Sequence, residues 1–106
     1  MKLGELKKND IFYLINWEGN YIDSIEKCKV QDIHEINIGR QIYYIKENNE
    51  YKDIFKVIIE SSEYEEKIAI AYSYISICSD KEALIVLLNK NKDDFINSYN
   101  KILKNI

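Results

Sequence analysis

The hydrophobic period of this chain changes once, near Ser79, and that change constrains the fold more than any other feature. Upstream, β-branched and aromatic residues come in short runs punctuated by Asn, Asp, Gly and Glu, the pattern of strands and turns. Downstream, leucines and aromatics recur at intervals of three and four, the spacing of one helix face. Strands first and helices last is an α+β order. The expected fold is therefore a small antiparallel β-barrel or curled sheet of about five strands, followed by one or two C-terminal helices. A length of 106 residues suits one domain, with residues 1–78 β-rich and residues 79–106 helical.

Ile11 to Trp17 (IFYLINW), between Asn9-Asp10 and Glu18-Gly19-Asn20, reads as the first strand. In the second, Ile25 to Ile38, Cys28 and Val30 alternate with Lys27, Lys29 and Gln31, yet Ile33 falls three residues after Val30. A slip of one residue would flip the buried face, so a β-bulge is expected near Gln31-Asp32. Gly39-Arg40 reverses the chain into Gln41 to Lys46, and a polar loop leads to Asp53 to Glu60, with Phe55, Val57 and Ile59 on one face.

Ser61 to Cys78 admits two readings. Period 2 lines up Ile68, Ile70, Tyr72 and Tyr74; period 3.6 lines up Tyr64, Ile68, Tyr72 and Ile75, with Ser62 as a cap. The Ile, Tyr and Ser content from Lys67 onward favours a strand. Ser79-Asp80-Lys81-Glu82 has the form of a capping box with Ser79 at the N-cap. Ala83, Leu84, Leu87 and Leu88 follow at helical spacing. The polar run Asn89 to Asp94 predicts a break, and Phe95, Ile96, Tyr99, Ile102, Leu103 and Ile106 a second amphipathic helix.

The search for chemistry finds no constellation that would carry catalysis. His34 is the only histidine, in a strand-like run that places it toward solvent. Cys28 and Cys78 are fifty residues apart and follow apolar alternation, so they read as buried apolar side chains and not as a redox or zinc pair. Glu65-Glu66 and Asp93-Asp94 are adjacent acids, which diverge on any regular element instead of converging on a cleft. Gly4, Gly19 and Gly39 are isolated, and no phosphate-cradling or Gly-x-Ser-x-Gly pattern occurs. The expectation is a protein that is not an enzyme, with no cofactor and no metal.

What is in excess is aromatic. Nine tyrosines and one tryptophan occur in the chain. Tyr43 and Tyr44 are adjacent on a strand and face opposite sides; Tyr13 beside Phe12 has the same property, and Trp17 abuts the first turn. Tyr and Trp give large contact area at low entropy cost and dominate interface hot spots. The net charge of −3 is concentrated between Glu47 and Glu66, where Glu47, Glu50, Asp53, Glu60, Glu63, Glu65 and Glu66 outnumber Lys52 and Lys56. These observations predict a protein-binding surface formed by Tyr13, Trp17, Tyr43, Tyr44, Glu63, Glu65 and Glu66. No Lys/Arg run exceeds two residues, which disfavours the alternative, a nucleic-acid-binding barrel. That alternative would need Lys7, Lys8, Lys27, Lys29 and Arg40 on one face. Homodimerisation through a strand edge or the C-terminal helix is compatible with either reading.

The N-terminal residues form no apolar signal segment, and the longest uncharged stretch, Ile68 to Ser79, is too short for a bilayer. With two unpaired-looking cysteines, the expectation is a cytoplasmic protein without membrane contact. Twenty isoleucines, fourteen lysines against one arginine, and eleven asparagines indicate an AT-rich coding sequence.

Leu6-Lys-Lys-Asn-Asp-Ile-Phe-Tyr-Leu-Ile15 resembles the first strand of small SH3-like barrels, in which a "KxGD" turn leads into an aromatic strand. Asn9 stands where that pattern has glycine. The two following strands joined at Gly39-Arg40, and the helix start from Ser79 to Leu84, fit the same outline. Together they resemble the barrel-plus-helix proteins of phages and mobile elements of AT-rich Gram-positive bacteria, some of which inhibit host defence, including anti-CRISPR proteins. The resemblance implies an SH3-like fold and stoichiometric inhibition of a host protein. It assigns no individual residue a role.

Overall fold

A computed structural model describes the backbone of residues 1–106 and the side chains of all but Asp94. Six strands are present: β1 (Ile11–Glu18), β2 (Tyr21–Ile36), β3 (Gly39–Lys46), β4 (Phe55–Glu60), β5 (Ile68–Tyr72) and β6 (Ile75–Cys78). Two helices follow, α1 (Lys81–Asn91) and α2 (Ile96–Lys104). All strands join one antiparallel sheet in the order β4-β3-β2-β1-β6-β5. The sheet curls into a half-barrel: its end strands β4 and β5 approach within 8 Å at Cα without forming a ladder.

The long β2 provides the curl. Its ladder with β3 skips a residue between Val30 and Asp32, the bulge that the phase slip predicts. Before the bulge Cys28 and Val30 face the concave side; after it Ile33 packs against the same core. The turn into β1 uses Asn9 at φ +76°, a left-handed conformation that Asn tolerates better than most residues.

The sheet buries both faces. On the concave side lie Leu3, Leu6, Phe12, Leu14, Val30, Ile42, Tyr44, Val57, Ile59 and Ile77. On the convex side Tyr13, Ile15, Ile22 and Cys78 pack under Leu84 and Leu88 of α1 and Tyr99 of α2. Each aliphatic or aromatic side chain so covered contributes about 1.5–3 kcal/mol. β1 lies between the two layers, which is why IFYLI is continuously apolar instead of alternating. Tyr99 is fully buried, and its hydroxyl accepts a 2.6 Å hydrogen bond from the Ile22 N–H, fastening α2 to β2.

Three expectations need correction. The strand count is six, because Ser61 to Cys78 holds a short 3₁₀ turn (Ser61–Glu63) and then a hairpin, β5–β6. Its turn places Tyr74 at φ +63°, a position that normally selects Gly, Asn or Asp, so the sequence carries no turn signal there. The cap of α1 is Asp80, not Ser79: Asp80 Oδ1 accepts from the Glu82 N–H at 3.0 Å. The Ser79 hydroxyl donates instead to the Met1 carbonyl at 2.9 Å, tying the N-terminus to the sheet. Ile96 is exposed, while Tyr99 is buried and Phe95, Ile102, Leu103 and Ile106, partly buried, pack beside it.

Asp80 also pairs with Lys67 at 2.9 Å, and the hydrogen bond from Lys67, with that from the Glu82 N–H, holds its carboxyl below the ordinary value. A depressed carboxylate stabilises the fold above its unfolded-state pKa, and the gain is lost as pH falls through the folded value. Asp80→Ala should therefore lower stability at pH 7 by about 1 kcal/mol, the usual worth of a cap. In melts followed by circular dichroism, the gap to wild type should close below about pH 4, where carboxylates protonate.

Candidate protein-binding surface

The predicted contact residues do not share one face. Tyr13 is 7 % exposed beneath the C-terminal helices, and burial pushes its hydroxyl pKa up. Tyr44 is 3 % exposed in the concave core, edge-on to Phe12 with ring centroids 5.2 Å apart and stacked on Phe55 at 5.7 Å. Both are corrected to core residues. Adjacent strand residues do face opposite sides, but here both sides are roofed, which period 2 cannot reveal.

Trp17 is half-buried at the end of β1, with its indole N–H donating to Ser76 Oγ at 3.0 Å. Tyr43 is half-buried against His34, centroids 4.9 Å apart, and its hydroxyl donates to Gln41 Oε1. Glu65 and Glu66 are exposed, and Glu65 pairs with Lys2. Glu63 is half-buried, and burial followed by the neighbouring Glu60 charge raises its pKa. A carboxyl raised on folding binds its proton more tightly in the native state, so its unfavourable contribution grows as pH rises through its titration range. Glu63→Gln should accordingly raise the melting temperature at pH 7 and have no such effect at pH 3, a comparison that two thermal melts make.

The acidic segment carries what the sequence reading missed. Tyr51, Ile54 and Ile58 are 79 %, 65 % and 38 % exposed, interleaved with the exposed carboxylates of Glu47, Glu50, Asp53 and Glu60. Tyr51 and Ile54 lie in the loop between β3 and β4, and Ile58 lies on the outward side of edge strand β4. The available signal was phase: Ile54 and Ile58 alternate with Phe55, Val57 and Ile59 and so fall on the opposite side of the expected strand, whereas nothing local marks Tyr51.

Two of the basic side chains are held by the fold itself. The Arg40 guanidinium donates to the Gly4 and Leu6 carbonyls at 2.8 and 3.0 Å and to Glu35 at 2.8 Å, and it lies 5.6 Å from the Tyr64 ring centre. It clips the N-terminal segment to β3 and is not free for phosphate. Lys46 likewise pairs with Glu26 and covers the Phe55 ring.

His34 is exposed, its Nε2 3.0 Å from Asp32 Oδ2. Cys28 and Cys78 are buried free thiols, pushed up to about 12 and about 11 by desolvation, so at neutral pH neither is a thiolate nucleophile. Among the described residues no three His, Cys, Asp or Glu side chains gather as metal ligands. A cleft of about 760 Å³ opens between β2 and α2, lined among others by Tyr13, Ile25, Ile102, Asp23, Lys27 and Lys101. No helix is long and apolar enough to cross a membrane. No protein-family model matches the chain, and no curated protein or solved structure is significantly similar to it.

Proposed function

We propose that this protein is a non-catalytic binding module that acts stoichiometrically on a protein partner through the acidic and apolar strip of residues 47–66. The observation that carries this reading is the exposure of Tyr51, Ile54 and Ile58 between carboxylates. Exposed large side chains supply contact area, and the surrounding negative charge selects a basic partner surface and accelerates encounter. The resemblance noted above supports the finer reading. On it, the fold is SH3-like, and a phage or mobile element deploys the protein in the cytoplasm to inhibit a host defence protein, in the manner of an anti-CRISPR. A basic, nucleic-acid-binding surface on that host protein is what such a strip would cover.

The test is affinity capture from lysate of the cell that carries the gene, with wild type beside the triple variant Glu63→Lys, Glu65→Lys, Glu66→Lys. The reading expects a protein held by wild type in low salt, and lost both from the variant and in about 1 M salt, where the screening length is ~3 Å. Equal retention by both proteins, unchanged by salt, would refute it. The same reading expects no gel shift of DNA or RNA at protein concentrations near ~10⁻⁴ M, the weak end of nonspecific affinity.

A further inference from the structure

The cleft between β2 and α2 is walled by two periodicities. Ser98, Lys101 and Ile102 stand three and four residues apart and so share one face of α2. On β2, Ile25 and Lys27 are two apart and share a face with Tyr13, which stands opposite Lys27 in the β1–β2 ladder. Asp23 is the residue that this ladder skips, a bulge of the kind that re-aims a side chain, and it lines the same cleft. Glu47, whose N–H donates to the Lys27 carbonyl at 2.9 Å, adds a second carboxylate.

The Tyr13 hydroxyl is the one group there that the fold does not use. Tyr13 is only 7 % exposed, and its ring belongs to the convex core. Among the described residues its hydroxyl has no hydrogen-bond partner, unlike those of Tyr99 and Tyr43. No polar side-chain atom of the described residues is sealed in the interior without a partner, so this hydroxyl reaches the cleft. Buried polar groups are ordinarily bonded, and one left aimed into a cleft marks a position for a ligand atom. The charges around it are unpaired as well. Among the described residues, Asp23, Lys27, Glu47 and Lys101 form no ion pair.

We infer that this cleft binds a zwitterionic small molecule with an apolar body, the chemistry shared by an apolar amino acid and a short peptide. Lys27 and Lys101 offer cations to its carboxylate, and the Tyr13 hydroxyl offers a further donor. Asp23 and Glu47 offer carboxylates to its ammonium, and Ile25 and Ile102 offer apolar contact. A ligand of one sign would meet two like charges, whereas a zwitterion meets a partner for each of its own. A volume of about 760 Å³ lies within the range of small-ligand sites and favours the peptide over the single amino acid.

Nuclear magnetic resonance titration of the isotope-labelled protein with Ala-Leu-Ala, and separately with leucine, tests this directly. Each is taken to about 10 mM, well above a dissociation constant of about 1 mM. Amide signals of residues 23–27 and 98–102 should shift and saturate, at lower concentration for the peptide. Saturation by leucine alone would assign the cleft to the free amino acid and support the same chemistry. N-acetylated and C-amidated Ala-Leu-Ala should each bind about tenfold more weakly, the worth of one charge-assisted contact. Tyr13→Phe should bind about threefold to tenfold more weakly with an unchanged thermal melt, since the ring stays and the hydroxyl has no partner to lose. Lys101→Gln, on an exposed side chain, should weaken binding by a similar factor, and Val86→Lys should not. No saturable shift with either ligand overturns the inference. So does a capped peptide that binds as tightly as the free one, or binding that neither Tyr13→Phe nor Lys101→Gln weakens. The Glu63→Lys, Glu65→Lys, Glu66→Lys variant should bind the peptide as wild type does, so this inference and the protein-binding strip fail separately.

Discussion

Tyr99→Ala should unfold the C-terminal half of the convex core and cost about 3–5 kcal/mol, the range for truncating a buried aromatic. That is a large share of the ~5–15 kcal/mol by which domains of this size are stable. Tyr99 is the largest fully buried side chain; it packs beside Phe95 and holds α2 against Ile22 and Ile15. Its hydroxyl is also the acceptor for the Ile22 N–H. Tyr99→Phe keeps the ring and strands that N–H, and should cost ~1–3 kcal/mol, the penalty for a buried donor without a partner. Denaturant unfolding of the two variants separates the terms. A Phe variant as stable as wild type would show that packing alone docks the helix.

Gly39→Ala should be the most damaging change of a single methyl group. A Cβ at Gly39 would stand 2.0 Å from the Ile59 carbonyl oxygen and 2.9 Å from the Glu60 Cα. Both are backbone atoms of the neighbouring strand, so no side chain can move aside. Gly39 pairs with Ile36 on one side and Glu60 on the other, and β3 must separate from β4 to admit the methyl. The expected loss is at least ~3 kcal/mol, the upper end for overpacking. Gly19→Ala is the contrast: nothing lies within 4 Å, and the cost is only that of an L-residue at φ +60°, ~1–2 kcal/mol. Comparable losses at the two positions would contradict this account of β3–β4 contact.

Much of the architecture was legible because each element carried a local signal. The slip between Val30 and Ile33 gave the bulge and the Leu84/Leu88 spacing the first helix, whereas the reversal expected at Gly39-Arg40 lies at Asn37-Ile38, because Gly39 and Arg40 already pair with Ile36 and Glu35 as part of β3. The β5–β6 hairpin was not legible, since Ser73-Tyr74 is no turn dipeptide, yet Tyr74 adopts the left-handed region with its carbonyl accepting from the Trp17 N–H at 2.8 Å. The capping residue was displaced by one because the Ser79 hydroxyl is engaged by Met1, seventy-eight residues away. The candidate surface was half legible: the charge of residues 47–66 is visible in the sequence, whereas the burial of Tyr13 and Tyr44 depends on two roofs over one sheet. Conversely, the outward phase of Ile54 and Ile58 was there to read, whereas Tyr51 looks unremarkable until the sheet leaves it outside.

The central claim is that the strip of residues 47–66 meets a protein. The most direct measurement places a photo-crosslinking phenylalanine analogue at Tyr51, and separately at Val86, in the cell that carries the gene. Both side chains are exposed, so neither change should disturb the fold. The account predicts a discrete protein adduct from position 51, weakened by the Glu63→Lys, Glu65→Lys, Glu66→Lys background, and none from position 86. No adduct at 51, or the same adduct from both positions, would contradict it.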